Sequence, residues 1–151
     1  TLEDEVRHTE NYLELMKDRY EENLIYNIEE AGELERVKVP RVILQPIVEN
    51  CFKHGFGENG FPWIIHVAVT ASYGHWRIHV RNNGRPFQEK DLTELNEKVE
   101  GFLKGEQKKI SGIGLTNTII RLRLLYEEQV EYEIYTGNDG YTYVVLKGNY
   151  K

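Results

Sequence analysis

The sequence predicts an α+β fold, a two-layer sandwich in which helices cover one face of a sheet of about five strands. Three observations predict it. Runs of alternating apolar residues occur singly or as hairpin pairs, and stretches with apolar residues at three- and four-residue steps lie between them. No internal repeat is present. The chain has 151 residues, 40% hydrophobic and 11% aromatic with ten Tyr, which suits the core of one domain and is too apolar for a disordered chain.

Residues 1–22 are highly charged, yet Leu2, Val6, Tyr12, Leu13, Met16 and Tyr20 fall near one stripe. This is a helix with a narrow seam, either laid on the body or arriving as a connector from sequence upstream. Leu24, Tyr26 and Ile28 alternate with Ile25 and Asn27 as a short strand, closed by Ala31-Gly32-Glu33. After Pro40, the residues Ile43, Leu44, Ile47, Val48, Cys51 and Phe52 have the spacing of an amphipathic helix ended by Gly55. Pro46 fits within its first turn, where amides have no internal partner. Ile64–Thr70 and Trp76–Asn82 form a hairpin across Ser72-Tyr73-Gly74-His75. From Gly84 to Ser111 the chain is polar, with a weak helix around Asp91–Leu103 and an unanchored Lys-Gly-Glu-Gln-Lys-Lys stretch that reads as mobile. Leu115, Ile119, Leu122 and Tyr126 line a further helix, and Glu131–Thr136 pairs with Tyr141–Lys147 across Asn138-Asp139-Gly140.

Charge and cysteine content narrow the function. With 19 Lys plus Arg against 25 Asp plus Glu, the net charge is −6, which argues against a nucleic-acid partner held by bulk electrostatics. A single cysteine, Cys51, excludes an intramolecular disulfide and any multi-cysteine metal site. No run approaches the ~20 apolar residues of a membrane span, and the chain opens on Thr1 without a signal-peptide pattern, so it reads as a soluble piece of something longer.

Three motifs carry candidate chemistry. On a helical wheel, Pro46, Glu49, Asn50 and Lys53 share the arc opposite the apolar one, placing a carboxylate, an amide and an ammonium together; a solvated surface is the simpler reading of such a face. In Val80-Arg81-Asn82-Asn83-Gly84, period-two alternation points Asn82 toward the core where the strand runs out, although such turns occur in every fold. Ser111-Gly112-Ile113-Gly114-Leu115-Thr116-Asn117 is a glycine turn feeding a helix, suited to a phosphate or simply to a cap by Ser111. It is neither a Walker P-loop nor a dinucleotide fingerprint.

Together, Leu44-Gln45-Pro46-Ile47-Val48-Glu49-Asn50-Cys51-Phe52-Lys53-His54-Gly55, Asn82-Asn83-Gly84 and Gly112-Ile113-Gly114-Leu115-Thr116-Asn117 resemble the N box and two glycine boxes of the GHKL nucleotide-binding fold. The likeness is to the catalytic domain of LytS/YesM-type sensor histidine kinases and covers about Val39–Leu146. It implies a Bergerat fold with a mixed sheet, a helical connector over 1–22 and a catalytic domain over 23–151. It also implies ATP and Mg²⁺ as cofactors, Asn50 as the metal ligand, and Glu49, Asn50 and Lys53 as the catalytic group. Lys53 and His54 would lie near the phosphates, with Asn82 and Gly84 at the base and Gly112, Gly114, Leu115 and Asn117 in the phosphate turn. The implied activity is transfer of the γ-phosphoryl group to a histidine outside this chain. The implied partners are the dimerisation and phosphoacceptor region of a membrane-attached parent and a response regulator, with Gly84–Ser111 as an ATP lid.

The chain departs from that family's pattern at three places. Asn82 stands where an Asp usually accepts the adenine amino proton, and Pro86 stands where the first glycine box has its second glycine. Pro46 occupies the position of the general-base Glu of GHKL ATPases, which disfavours a chaperone- or mismatch-repair-type ATPase. None of His8, His54, His66, His75 and His79 lies in the family's Pro-His-Phe phosphoacceptor context, and His66 and His79 read as sheet residues. A catalytically degenerate nucleotide-sensing or scaffold domain is the alternative.

Overall fold

The computed structural model describes residues 1–56, 60–105 and 114–151, without the side chains of residues 54, 55 and 128. Helix α1 (Leu2–Tyr20) leads to strand β1 (Leu24–Gly32). Helix α2 (Leu44–Asn50) continues into a π-helical turn at Cys51–Phe56 and is followed by β2 (Trp63–Ser72), β3 (His75–Asn82) and α3 (Glu89–Leu103). Helix α4 (Leu115–Tyr126), β4 (Glu131–Thr136) and β5 (Thr142–Asn149) complete the chain. The strands form one sheet in the order β1-β2-β3-β5-β4, with β1 parallel to β2 and the other pairs antiparallel. The mixed α+β sandwich read from the sequence is the fold found.

Alternation assigns the two sheet faces. Ile65, Val67, Val69 and Ala71 of β2, Trp76, Ile78 and Val80 of β3, and Val144 and Leu146 of β5 are buried in the core shared with the helices. On the other face, Arg81 lies over the Tyr141 ring, His79 meets Tyr143 edge-on, and Tyr135 stacks on Tyr143. The β2–β3 hairpin turns through Tyr73 and Gly74, both at positive φ as such a two-residue turn requires. Gly148 is the cross-strand neighbour of Trp76, and a Cβ there would sit 2.5 Å from the indole. The buried Trp76 needs that missing side chain.

Several elements differ from the sequence reading. Strand β1, read as short, has nine residues and ends at Gly32, inside the Ala31-Gly32-Glu33 stretch read as its close. The helix read over 43–54 is regular only to Asn50, and its π-turn passes Gly55 to end at Phe56. Pro46, placed by the wheel on the polar arc, is buried, since three sides of this short helix are enclosed. The helix read around Asp91–Leu103 is found as α3, starting two residues earlier at Glu89 and burying Leu95 and Val99. Residues 106–109 of the stretch read as mobile lie outside the described residues.

Helix α1 buries Leu2, Val6 and Leu13, and with them two polar residues the apolar stripe did not include, Glu5 and Thr9. The Glu5 carboxylate accepts hydrogen bonds from the Val42 and Ile43 amides at 2.8 Å each and the Leu44 amide at 3.2 Å. Helix α2 has no side-chain cap of its own, so a carboxylate from α1 satisfies its first amides and meets the positive end of its dipole. Glu5→Ala leaves three amides without this acceptor and is expected to cost about 2–4 kcal/mol. Glu3→Ala, on the exposed side of the same turn, is expected to stay within about 0.5 kcal/mol by urea unfolding.

Candidate nucleotide site

A cavity of about 330 Å³ opens between α2, the end of β3, α3 and the start of α4. Its size and mixed lining are those of a small-molecule site. From α2 it receives Ile47, Asn50 and Cys51, and from the sheet Asn82, Thr142 and Val144. Asn82 and Thr142 are register partners on β3 and β5 and are both buried. The Asn82 Oδ1 accepts from the Gly84 amide at 2.9 Å, and its Nδ2 donates to Cys51 Sγ at 3.3 Å. The Cys51 thiol in turn faces the Ile47 carbonyl, with Sγ 3.7 Å from the oxygen. Burial pushes this thiol up to about 12 from its ordinary 9.0, so it is a neutral S–H at physiological pH.

The opposite wall is the beginning of α4. Gly114, extended at φ −174°, is its N-cap without a side-chain cap, and the Thr118 amide donates to the Gly114 carbonyl at 3.0 Å. The first turn of α4 sits at the positive end of the helix dipole, where anions are favoured. A Cβ at Gly114 would meet nothing within 4 Å, so the glycine keeps this wall open.

Of the residues singled out in the sequence, Asn50, Asn82, Gly114, Leu115 and Asn117 line this one cavity. Gly84 is buried beside it and holds Asn82. Glu49 and Lys53 are not in the lining. Gln45 donates to the Glu49 carboxylate at 2.9 Å, and that carboxylate, after burial, helps push Tyr12 of α1 up to about 12, so Glu49 faces α1. Lys53 is exposed. Gly112 and the His54 side chain lie outside the described residues. Ser111, read as a possible cap, does too.

The four charged lining residues escaped the sequence reading: Arg85 before Pro86, and Asp91, Glu94 and Lys98 on α3. The last three are spaced three and four apart, and the apolar Leu92, Leu95, Val99 and Phe102 follow the same period, so a stricter helical reading of this segment would have found them. Among the described residues no group of three or more His, Cys, Asp and Glu could hold a metal ion. The donor set in the cavity, an Asn amide with nearby carboxylates, suits a hard cation that takes its other ligands from water and phosphate.

Comparison with known proteins bears on the fold and on sequence relatedness. Sensor protein LytS of Oceanobacillus iheyensis is 30% identical over 139 residues, 92% of this chain and 23% of LytS. Sensor histidine kinase BtsS of Escherichia coli K12 is 26% identical over 147 residues, 97% of this chain and 23% of BtsS. The nucleotide-free catalytic domain of histidine kinase ThkA superposes with a TM-score of 0.59 at 18% identity, covering 99% of this chain and 94% of that one. The same kinase in complex with the response regulator protein TrrA gives 0.59 at 19% identity, covering 100% of this chain and 41% of that one. The chain is a histidine kinase catalytic domain in fold and a relative of the LytS sensors in sequence. No family model matches it. The chain spans about a quarter of the length of the curated relatives it matches, and no helix among its described residues is long and apolar enough to cross a membrane.

The state of Cys51 in the domain is testable. In the fold its proton is held to about 12, whereas the unfolded thiol releases it near the ordinary 9.0. Its stabilising contribution is therefore complete below pH 9 and lost as pH rises from 9 toward 12. Urea unfolding across that range is expected to show a pH slope shallower in Cys51→Ala than in the wild type, by at most about 1.4 kcal/mol per pH unit. Native Cys51 should resist iodoacetamide at pH 8 and react fully in denaturant.

Proposed function

We propose that this chain is the ATP-binding catalytic domain of a two-component sensor histidine kinase, transferring the ATP γ-phosphoryl group to a histidine outside it. The observation that carries the reading is the meeting, in one cavity, of Asn50 from α2, Asn82 from the end of β3 and the uncapped start of α4. The three segments, far apart in sequence, bring these groups to one cavity, which is what a binding site requires.

Mg²⁺, when bound with ATP, would neutralise phosphate charge. Asn50 offers it a neutral amide oxygen on a helix fixed by its cap, which suits a cation that keeps much of its water. The amides at the start of α4 bind phosphate oxygens, aided by the helix dipole. Arg85 and Lys98, both in the lining, supply positive charge. The Ile47 and Val144 side chains exclude water from the flat part of the ligand. Phosphoryl transfer needs such positioning and charge neutralisation more than covalent help. Glu49 is left a supporting role through α1, and Lys53 reaches phosphate only by swinging in from solvent. With buried Pro46 four residues before Asn50, that position offers no base to activate water, which favours a protein acceptor over hydrolysis.

In the full-length parent, α1 would join this domain to the dimerisation and phosphoacceptor region. The parent would be membrane-attached with this domain in the cytoplasm, and a response regulator would take the phosphoryl group onward. The segment from Gly84 to Ser111 would be the ATP lid.

Calorimetric titration with ATP and ADP, each with and without Mg²⁺, tests the site. The chain is expected to bind ATP saturably and more tightly with Mg²⁺, and Asn50→Ala to remove that Mg²⁺ dependence at a cost of about tenfold or more in Mg-ATP affinity. No binding of either nucleotide at millimolar concentration would favour a degenerate scaffold, and steady ATP turnover by the isolated chain would favour an ATPase.

A further inference from the structure

Strand β4 is an edge of the five-stranded sheet, with β5 as its neighbour. Beyond the Thr136–Thr142 pair the Gly137 amide donates to the Tyr141 carbonyl at 2.8 Å, and this fixes the alternation of the ladder. Glu131, Glu133 and Tyr135 exchange their main-chain bonds with β5, so the N–H and C=O groups of Tyr132 and Ile134 point away from it. No other main chain among the described residues bonds them.

A groove of about 680 Å³ runs along this edge. Every residue from 131 to 135 lines it, although successive side chains of a strand point to opposite sheet faces. A space touched from both faces lies beside the strand, where a further strand would lie. Its other wall is α3, which contributes Leu92, Asn96 and Glu100 at four-residue steps. The nucleotide cavity takes Asp91, Leu95 and Lys98 from a different face of the same helix, so the two spaces are separate. The Tyr132 hydroxyl donates to Asn96 Oδ1, tying helix to strand across the groove. Arg123 of α4 reaches in over the Tyr132 ring, and its buried Nε has no hydrogen-bond partner among the described residues. A carbonyl added beside it would supply the missing acceptor.

Charge decides what the groove takes. Glu131 and Glu133 stand along it on the outer sheet face, and Glu100 borders it from α3. Lys147 pairs with Glu133 at 3.3 Å, while neither Glu131 nor Glu100 has an ion pair among the described residues. A second copy of β4, laid antiparallel by two-fold symmetry, would bring these strand carboxylates face to face or onto the diagonal, and like charges across strands destabilise the pairing. A chain with cations at every second position meets them favourably.

We propose that this groove takes an extended polypeptide segment as an added strand, one in which apolar residues alternate with Lys or Arg. Its main chain bonds the outward groups of Tyr132 and Ile134. Its cations lie on the outer face beside Glu131 and Glu133, and its apolar side chains turn inward to Leu92 and Ile134. The inference goes beyond the nucleotide reading and stands without it.

Titration of the chain with an end-capped hexapeptide of alternating Val and Lys, followed by calorimetry and by amide exchange in NMR, tests this. The peptide is expected to bind one to one with a dissociation constant below about 1 mM and, at about ten times that constant, to slow exchange of the Tyr132 and Ile134 amides about tenfold. A peptide of the same composition with Val and Lys in separate blocks, and one N-methylated at alternate amides, are each expected to bind at least about tenfold more weakly. The paired variant Glu100→Gln with Glu131→Gln is expected to weaken the Val-Lys peptide about fivefold and to leave an alternating Val-Ser peptide unchanged, which general loss of structure would not do. No binding at about 5 mM, binding that leaves exchange of both amides unchanged, or equal binding of an alternating Val-Glu peptide overturns the proposal. An unchanged Val-Lys affinity in the paired variant overturns the charge assignment. Slowing of the same two amides by raising protein concentration alone gives the groove to a second copy of this chain and overturns the peptide partner.

Discussion

Val42 is a β-branched residue at φ +56°, a conformation that costs on the order of 1–3 kcal/mol. It persists because it is held from both sides. The Glu5 carboxylate accepts its N–H at 2.8 Å, and Arg121 donates to its carbonyl at 2.9 Å while also bonding the Arg41 carbonyl. Glu5 belongs to α1 and Arg121 to α4, so the kink before α2 is defined by two other helices. It sets where α2 begins and hence, at a fixed rise per residue, where Asn50 and Cys51 stand over the sheet. The cavity depends on this clamp more directly than on any contact inside it.

The far end of α2 is held by different means. Phe52 and Phe56 in the π-turn meet Tyr12 and Tyr20 of α1 and Trp63 of β2, with Phe56 stacked on Trp63 at 4.8 Å between ring centroids. Aromatic contacts of this kind add about 0.5–1.5 kcal/mol each beyond area burial. Helix α1 therefore touches α2 at both ends, by a charge-assisted cap at the start and by rings at the finish. A shift of α1 would be felt along the whole segment that carries Asn50, which gives a physical route by which whatever lies upstream of α1 would reach the site.

Much of this was legible in the sequence, for reasons that can be named. Strands with one buried face write themselves as alternation, so β2, β3 and β5 were found with errors of a residue or two at their ends. The turns at Tyr73-Gly74 and Asn138-Asp139-Gly140 were readable because only certain residues adopt their backbone angles. Asn82 was placed on the core side by period two, and it is buried there. What escaped was set by long-range pairing. Nothing local distinguishes Glu5 from Glu3 in a helix rich in carboxylates, because its burial depends on amides 37 to 39 residues away. Pro46 went astray because a wheel assumes one solvated side, and α2 is only seven residues long and enclosed. Arg85 and Lys98 were hidden by the polarity of a segment whose apolar residues are sparse yet correctly spaced.

The two departures at the first glycine box fall on one structural device. The bond from the Gly84 amide to Asn82 Oδ1 closes an Asx-turn, which ends β3 and starts the loop carrying Arg85 and Pro86 into the cavity wall. An Asp would close that turn with one oxygen just as an Asn does, so the turn itself places no demand for a charge. Pro86, with φ already fixed, adds stiffness where a glycine would add freedom. Turn closure thus uses Oδ1, while Nδ2 of the same side chain bonds the Cys51 sulfur at the cavity. Substitution between Asp and Asn can then change the group beside Cys51 while the backbone that builds the cavity stays as it is.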